Sequence, residues 1–447
     1  MMMRSVVLLG RCAAPLLLLG VLSGCSVFKD LTTVHKPPLP GERVSVLSFD
    51  QKLAPESEAT GTISLPRPYS NPEWPQAGGY PAHAMYHLSL GEAPTEIWKT
   101  NMGEGTGSDT RLMASPIIAG GMAFVYDTAG QVTAVTAADG EEIWQVDLTP
   151  EDESSSKGFR GGIAYEAGRI YAATGFGLVV ALDAKTGEQR WSRTVGVPLR
   201  SAPTVNGGRV FAVTQDNQIF ALNAETGEIL WNHQGIAESA GLLASSSPAV
   251  SGDTVVVAYS SGELFALRVE NGRVAWSDTL TRQGRMTPLA ALNDISGQPV
   301  IDRGRVFALS HSGRMVSIDL RTGQRQWDKT IAGTQTPWIA GEFIYVVTTD
   351  ADLVCLMRED GKVRWVTHLG QFDNPEDREG PIYWSGPTLA GDRLLVTSSN
   401  GFAVSLSPYT GELLGRLEMP TSVLIPPVVA DGTVYVLTED ADLIAMK

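Results

Sequence analysis

Cysteine is nearly absent from this chain of 447 residues, which has only Cys12, Cys25 and Cys355. If Cys12 leaves with a signal segment and Cys25 is acylated, Cys355 is left alone, so no intramolecular disulfide can staple the mature chain. Stability must then come from packing. Cys355 lies in the apolar run DLVCLM and reads as a small buried core residue rather than a nucleophile. Histidine is also sparse, with six scattered along the chain. His83 and His87 have a spacing that would put both on one face of a helix, but no HExxH glutamate lies between them and Pro81 precedes them. They read as a loop or surface pair, not as a zinc site. There is no G-x-S-x-G elbow, no P-loop and no CxxC, and Gly103-x-Gly105-x-Gly107 lacks the spacing of a dinucleotide loop. Positive charge is scarce too. The net charge of −15 argues against a broad nucleic-acid-binding face, while leaving a neutral or basic protein partner open. After the first 24 residues no apolar run is long enough to span a membrane.

What the chain has in abundance is glycine, 47 residues of it, within a composition that is 43% hydrophobic and 19% charged, as suits an all-β chain with many turns. The stretch RSAPTVNGGRVFAVTQDNQIFALNAETGEILW, from Arg200 to Trp231, reads as one four-stranded antiparallel unit. Thr204-Val205 opens the innermost strand, Arg209 to Thr214 alternates as the second, Gln218 to Asn223 as the third, and the fourth is expected to end at Trp231. Asn206-Gly207-Gly208, Asp216-Asn217 and Glu225-Thr226-Gly227 supply the turn residues between them.

The end of this unit recurs. Trp98, Trp144, Trp191, Trp231, Trp276, Trp327 and Trp365, with Gly415 in the eighth such place, follow one another at intervals of 38 to 51 residues. Such spacing fits the blades of a propeller. A second count, from Pro116, Gly162, Pro203, Pro248, Pro299, Pro337, Pro387 and Pro427 at the starts of the inner strands, also gives eight. The last unit has room for three strands, and Thr95-Glu96-Ile97-Trp98 is an orphan fourth strand at the front. The fold expected is therefore all-β: an eight-bladed β-propeller of four-stranded antiparallel blades, its ring closed by pairing the N-terminal strand with the three C-terminal ones. An indole at one place in every unit, burying on the order of 150 to 250 Å², suits the wedge between neighbouring sheets.

Ahead of the repeats, Arg4 and Arg11 precede the apolar run Ala13 to Leu22, and small residues lead into Cys25, the order of a secretory signal. Leu22-Ser23-Gly24-Cys25 resembles the bacterial lipobox, which implies a signal peptide over 1–24, lipidation of Cys25 and, with Ser26 rather than Asp following, the outer membrane. Residues 25–91 then read as the acylated cysteine and a proline-rich tether, with the short apolar island Val44 to Phe49 able to dock as a strand, and residues 92–447 as the propeller. Asp350-Ala351-Asp352 and Asp440-Ala441-Asp442 look like calcium ligands but fall at the same turn of two units, where turn chemistry explains them without metal.

The repeated ending ALNAETGEILW resembles the tryptophan-docking repeat of the pyrroloquinoline-quinone propeller superfamily, and with the lipobox, the tether and eight units the chain is similar to that superfamily's BamB family of lipoproteins. The resemblance covers roughly Glu92 to Lys447 plus the signal, and it implies a periplasmic, non-enzymatic scaffold without cofactor. Such a scaffold binds BamA, the central protein of the outer-membrane β-barrel assembly machine, and acts beside its other components. The family's contact loops correspond to Glu238 to Ser246 and Met286 to Gln298. Leu242 and Asp294 fall on its Leu-x-Leu-Arg and Asp-x-Asp motifs, whereas Leu243 replaces the arginine and Ser296 the second aspartate, so that the salt-bridging part of the contact is altered. Leu242, Leu243 and Asp294 are thus the expected partner-binding residues; unfolded outer-membrane proteins are a further implied partner, by strand addition. Two other readings stand beside this one. A quinoprotein dehydrogenase would carry pyrroloquinoline quinone and calcium, but the adjacent cysteine pair of such enzymes is absent. A lipoprotein that binds cell wall or polysaccharide is the other.

Overall fold

The stretch from Thr204 to Gln234 forms a four-stranded antiparallel sheet, with strands Thr204–Asn206, Arg209–Val213, Gln218–Asn223 and Ile229–Gln234 paired in that order. The computed structural model describes residues 53–447 apart from 60, 159, 239–245 and 282–293. Cys25, Leu242 and Leu243 lie outside the described residues. The unit recurs as blades 1 to 8, over 117–147, 161–194, 204–234, 249–279, 300–329, 338–368, 384–418 and 428–446. The eighth is completed by Glu96–Asn101, which pairs antiparallel with Asp442–Met446, while Thr95 and Lys447 exchange backbone hydrogen bonds at 2.9 and 3.0 Å. The eight-bladed propeller with its closing strand is the architecture expected from the repeats.

One local expectation is corrected. The fourth strand does not end at the tryptophan: Trp231 is the third of six residues, and the strand runs on to Gln234. Just before the indole the ladder skips a residue, so that Ala221 faces Trp231 but Leu222 faces Ile229. This bulge turns Leu230 outward, and the same shift in other blades leaves Ile97, Ile143 and Leu414 exposed.

The core is a series of layers between adjacent sheets. Phe124 and Trp144 of blade 1 pack with Ile163 and Ile170 of blade 2, and Phe211 and Trp231 of blade 3 with Val250 and Val255 of blade 4. Each indole also reaches into the next blade, where its Nε1–H donates to a carbonyl at the third turn: Trp98 to Ala137 at 3.1 Å, Trp144 to Ala184 at 3.0 Å, Trp231 to Val269 at 2.9 Å. The turn glycine of that next blade lies flat on the ring. A Cβ on Gly140 would stand 2.7 Å from Trp98, and one on Gly227 2.6 Å from Trp191. Glycine is needed there twice over, for a φ of +73 or +71 and for the approach of the indole.

The same geometry accounts for Gly415. The blade it would dock against is the closing one, whose outer strand is Glu96–Asn101, so no hairpin turn joins its third and fourth strands to carry an accepting carbonyl and a glycine.

Candidate docking face

Residues 71–88, expected as part of a tether, make a circuit of one end of the propeller. Asn71 donates through Nδ2 to Val429 of blade 8 at 2.6 Å. Trp74 exchanges backbone hydrogen bonds with Ile118 of blade 1 at 2.6 and 3.0 Å, and the Pro75 carbonyl accepts from Tyr165 of blade 2 at 2.7 Å. The Gln76 amide pairs both ways with the backbone of Val205 in blade 3. Pro81 and Ala82 accept from Val250 of blade 4 and Ile301 of blade 5 at 2.7 and 2.9 Å. The Tyr86 carbonyl takes the Trp338 indole of blade 6 at 2.7 Å, and Leu88 bonds Leu389 and Gly391 of blade 7. Every blade is bonded in order around the ring, and the ends meet where Tyr69 pairs with Leu88. The segment is buried accordingly, with Trp74, Met85 and Leu88 all below 5% exposed.

His83 and His87 belong to this circuit, in irregular backbone as a loop pair would be, but they are buried rather than at the surface. Nδ1–H of His83 donates to Pro299 O at 2.8 Å, and burial pushes the imidazole down to about 4. His87 donates from Nδ1 to Pro66 O at 2.8 Å and accepts the Asp392 N–H at Nε2 at 3.1 Å. Both rings are used as buried hydrogen-bonding wedges. Gly78 and Gly79, at φ +76 and +91, let the turn between them lie against Gln298, the His83 ring and Met85, where a Cβ would collide.

Upstream, the chain is also held to the blades. The Glu56 N–H donates to Val363 O at 2.9 Å while its carboxylate pairs with Lys329, also at 2.9 Å, and Ile63 is buried against blade 6 and 7 residues. From Leu53 onward the stretch expected to tether is therefore part of the packed molecule.

The circuit sits at the far ends of the inner strands. Their starts, with the connections between blades, surround the opposite end and a central cavity of about 750 Å³. Trp74, Gly78 and His83 of the circuit floor it, and Leu112, Tyr383 and Ile425 from three connections line its other end. The expected partner-binding residues fall in two other connections, between blades 3 and 4 and between blades 4 and 5. Asp294 is described there, and it is not at the surface: it is 1% exposed, and its Oδ1 accepts from Arg200 Nη2 at 3.0 Å.

Among the described residues no group of three or more His, Cys, Asp or Glu is placed to hold a metal ion. The doubled aspartates serve turns, with Ala351 and Ala441 between them at φ +58 and +62, Asp352 paired with His368 and Asp442 with Lys99. Cys355 is fully buried and burial pushes its thiol up, which leaves it a packing residue.

The family model described as outer membrane protein assembly factor BamB matches residues 91–156, 128–367 and 371–447, nearly the whole of the propeller. The chain belongs to the BamB family. Relatives named outer membrane protein assembly factor BamB include that of Salmonella typhimurium, 29% identical over 358 residues, covering 79% of this chain and 88% of the relative. That of Escherichia coli K12 is 30% identical over 351 residues, covering 78% and 87%. Among solved structures, BamB from Moraxella catarrhalis superposes with a TM-score of 0.65 at 18% identity, covering 79% of this chain and all of that one. A europium-containing methanol dehydrogenase superposes with 0.66 at 15% identity, covering 82% and 89%. Likeness at those identities speaks to the fold alone, and the propeller is common to BamB and dehydrogenase structures. The match of the family model begins at residue 91, so it does not foreshadow the circuit of 71–88. Sequence did hold a signal for it: Tyr69, Trp74, Tyr80 and Tyr86 make this stretch too aromatic for a solvated linker.

Proposed function

We propose that this protein is a non-enzymatic scaffold of outer-membrane β-barrel protein assembly, anchored by lipid on Cys25 to the periplasmic face of the outer membrane and docked on BamA through the connections between blades 3 and 4 and between blades 4 and 5. Membership of the BamB family carries this reading. The closed circuit supports it, because it occupies one end of the propeller and leaves the connections at the other end to a partner. In this reading Leu242 and Leu243 supply apolar contact, and Asp294, buried against Arg200, serves the interface by holding the base of its connection. Binding of unfolded outer-membrane proteins along the outer strands is the extension of the same role.

The test is co-purification of BamA with the mature lipidated protein from detergent-solubilised membranes, beside a Leu242→Asp, Leu243→Asp variant whose melting temperature matches the native form. Asp294→Arg is unsuitable, since it would place a second cation against buried Arg200. Native protein is expected to retain BamA and the variant to lose it. Failure of the native form to bring down BamA removes the assignment; retention by both forms moves the interface elsewhere.

A further inference from the structure

The two connections of the docking reading meet, at their described ends, in one buried polar cluster. Arg200 lies on the connection that leads into blade 3 and is 5% exposed. Its Nη2 donates to Asp294 Oδ1 at 3.0 Å and its Nη1 to Asn217 Oδ1 at 3.3 Å. Asp294 closes the connection from blade 4 to blade 5, and its carbonyl accepts the His311 N–H of blade 5 at 3.0 Å. Asn217 Oδ1 also accepts from the N–H and hydroxyl of Ser260 in blade 4, at 3.1 and 3.0 Å. Its Nδ2 donates to Ile236 O at 2.7 Å, at the start of the connection from blade 3 to blade 4, and its carbonyl accepts the Gly235 N–H at 2.8 Å.

Asn217 is unusual for its place. It stands at the left-handed corner between the second and third strands of its blade, with φ +63. The other seven blades put Gly130, Gly177, Gly262, Gly313, Ala351, Gly401 and Ala441 there, all at positive φ and none with a polar side chain. Blade 3 thus uses a residue that reaches across to blade 4 where the turn itself requires only small size. Arg200 likewise reaches from the entry of blade 3 to the entry of blade 5. A guanidinium–carboxylate pair buried this deeply is strongly disfavoured when one partner is lost, which holds the geometry to a single arrangement.

We propose that Arg200 and Asn217 are positioning residues that fix Gly235–Ile236 and Asp294, the points where the blade 3–4 and blade 4–5 connections join the propeller, relative to one another, so that a docking partner meets two connections with a common base. The role in binding rests on the docking reading; the mechanical coupling does not. Fixed anchor points leave less ordering to be done on contact, which favours tighter binding.

Asn217→Gly is the discriminating variant, since glycine keeps the left-handed corner as it does in most blades and removes only the side chain. Amide hydrogen exchange on the full-length lipoprotein in detergent should show faster exchange at both Ile236–Glu238 and Asp294–Gln298, by about tenfold or more, with the strands unchanged. Affinity for the periplasmic domains of BamA should fall by about tenfold. Arg200→Gln should do the same, and the Arg200→Gln, Asp294→Asn double variant should regain part of what Arg200→Gln loses. Exchange that rises at Ile236–Glu238 alone would overturn the coupling. Unchanged BamA affinity despite faster exchange in both connections would overturn the positioning role. If the native protein binds no BamA, the docking reading fails by itself and the exchange result alone decides the coupling.

Discussion

At the scale of single residues, the molecule uses groups that usually signal chemistry as packing pieces. His83 donates to Pro299 from a fully buried ring whose acidity is set by loss of solvation. Its folded value of about 4 lies below the unfolded 6.5, so the unfolded chain binds the proton first as pH falls. The stabilising share of neutral His83 is complete above about 6.5 and is lost between there and about 4, a change of about 3 kcal/mol over that window. Thermal melting followed from pH 6.5 to 4 is expected to drop, and His83→Asn, which can keep a donor toward Pro299, is expected to flatten that slope. An equal slope in both proteins would assign the acid sensitivity to other groups. The turn glycines show the same economy, each serving both a left-handed φ and the face of a neighbouring indole.

At the scale of elements, residues 71–88 act as a strap that bonds the inner strand of every blade in turn. The apolar part of this strap is anchored by Leu88, fully buried between blades 7 and 8 and bonded through its backbone to Leu389 and Gly391. Leu88→Ala is expected to cost about 2 to 5 kcal/mol, read as a lower midpoint in urea with an unchanged slope. A loss below about 1 kcal/mol would mean that the strap rests on the blades without helping to hold them. On the proposed docking, co-purification of BamA should survive this change, since the strap and the connections proposed to dock occupy opposite ends. The repeated sheets were legible because turn residues and period-2 alternation are local: Asn206-Gly207-Gly208 and the run from Gln218 to Asn223 carry their conformation in their own chemistry. The strap was not. It bonds strands as far as 358 residues away, as the Asn71 side chain does with Val429, and no periodicity along 71–88 records those partners.

At the scale of the whole molecule, stability depends on closing the ring. Seven interblade wedges hold an indole bonded to the next blade; the eighth lies against the closing blade, where no hairpin turn joins the third strand to the outer one and Gly415 replaces the tryptophan. Glu96–Asn101 supplies the outer strand there, and Lys99 and Asn101 both bond Asp442 across the seam. Deleting Glu92 to Met102 is expected to lower the melting temperature markedly and to promote association through the newly bared edge of Asp442–Met446. A melting temperature equal to that of the full chain would refute closure as a stabilising device.

The sequence by itself determined the number of blades, the place of each indole and glycine, and the pairing of the two chain ends, because each of these is set by local propensity repeated at a fixed spacing. It also brought Asp294 to notice. Tertiary structure decided what Asp294 faces, which blades Arg200 and Asn217 join, and that a proline-rich leader becomes a strap around eight inner strands. Those outcomes depend on residues distant in the chain arriving side by side, and on the cost of burying charges and amide groups without partners, which only the assembled ring can meet.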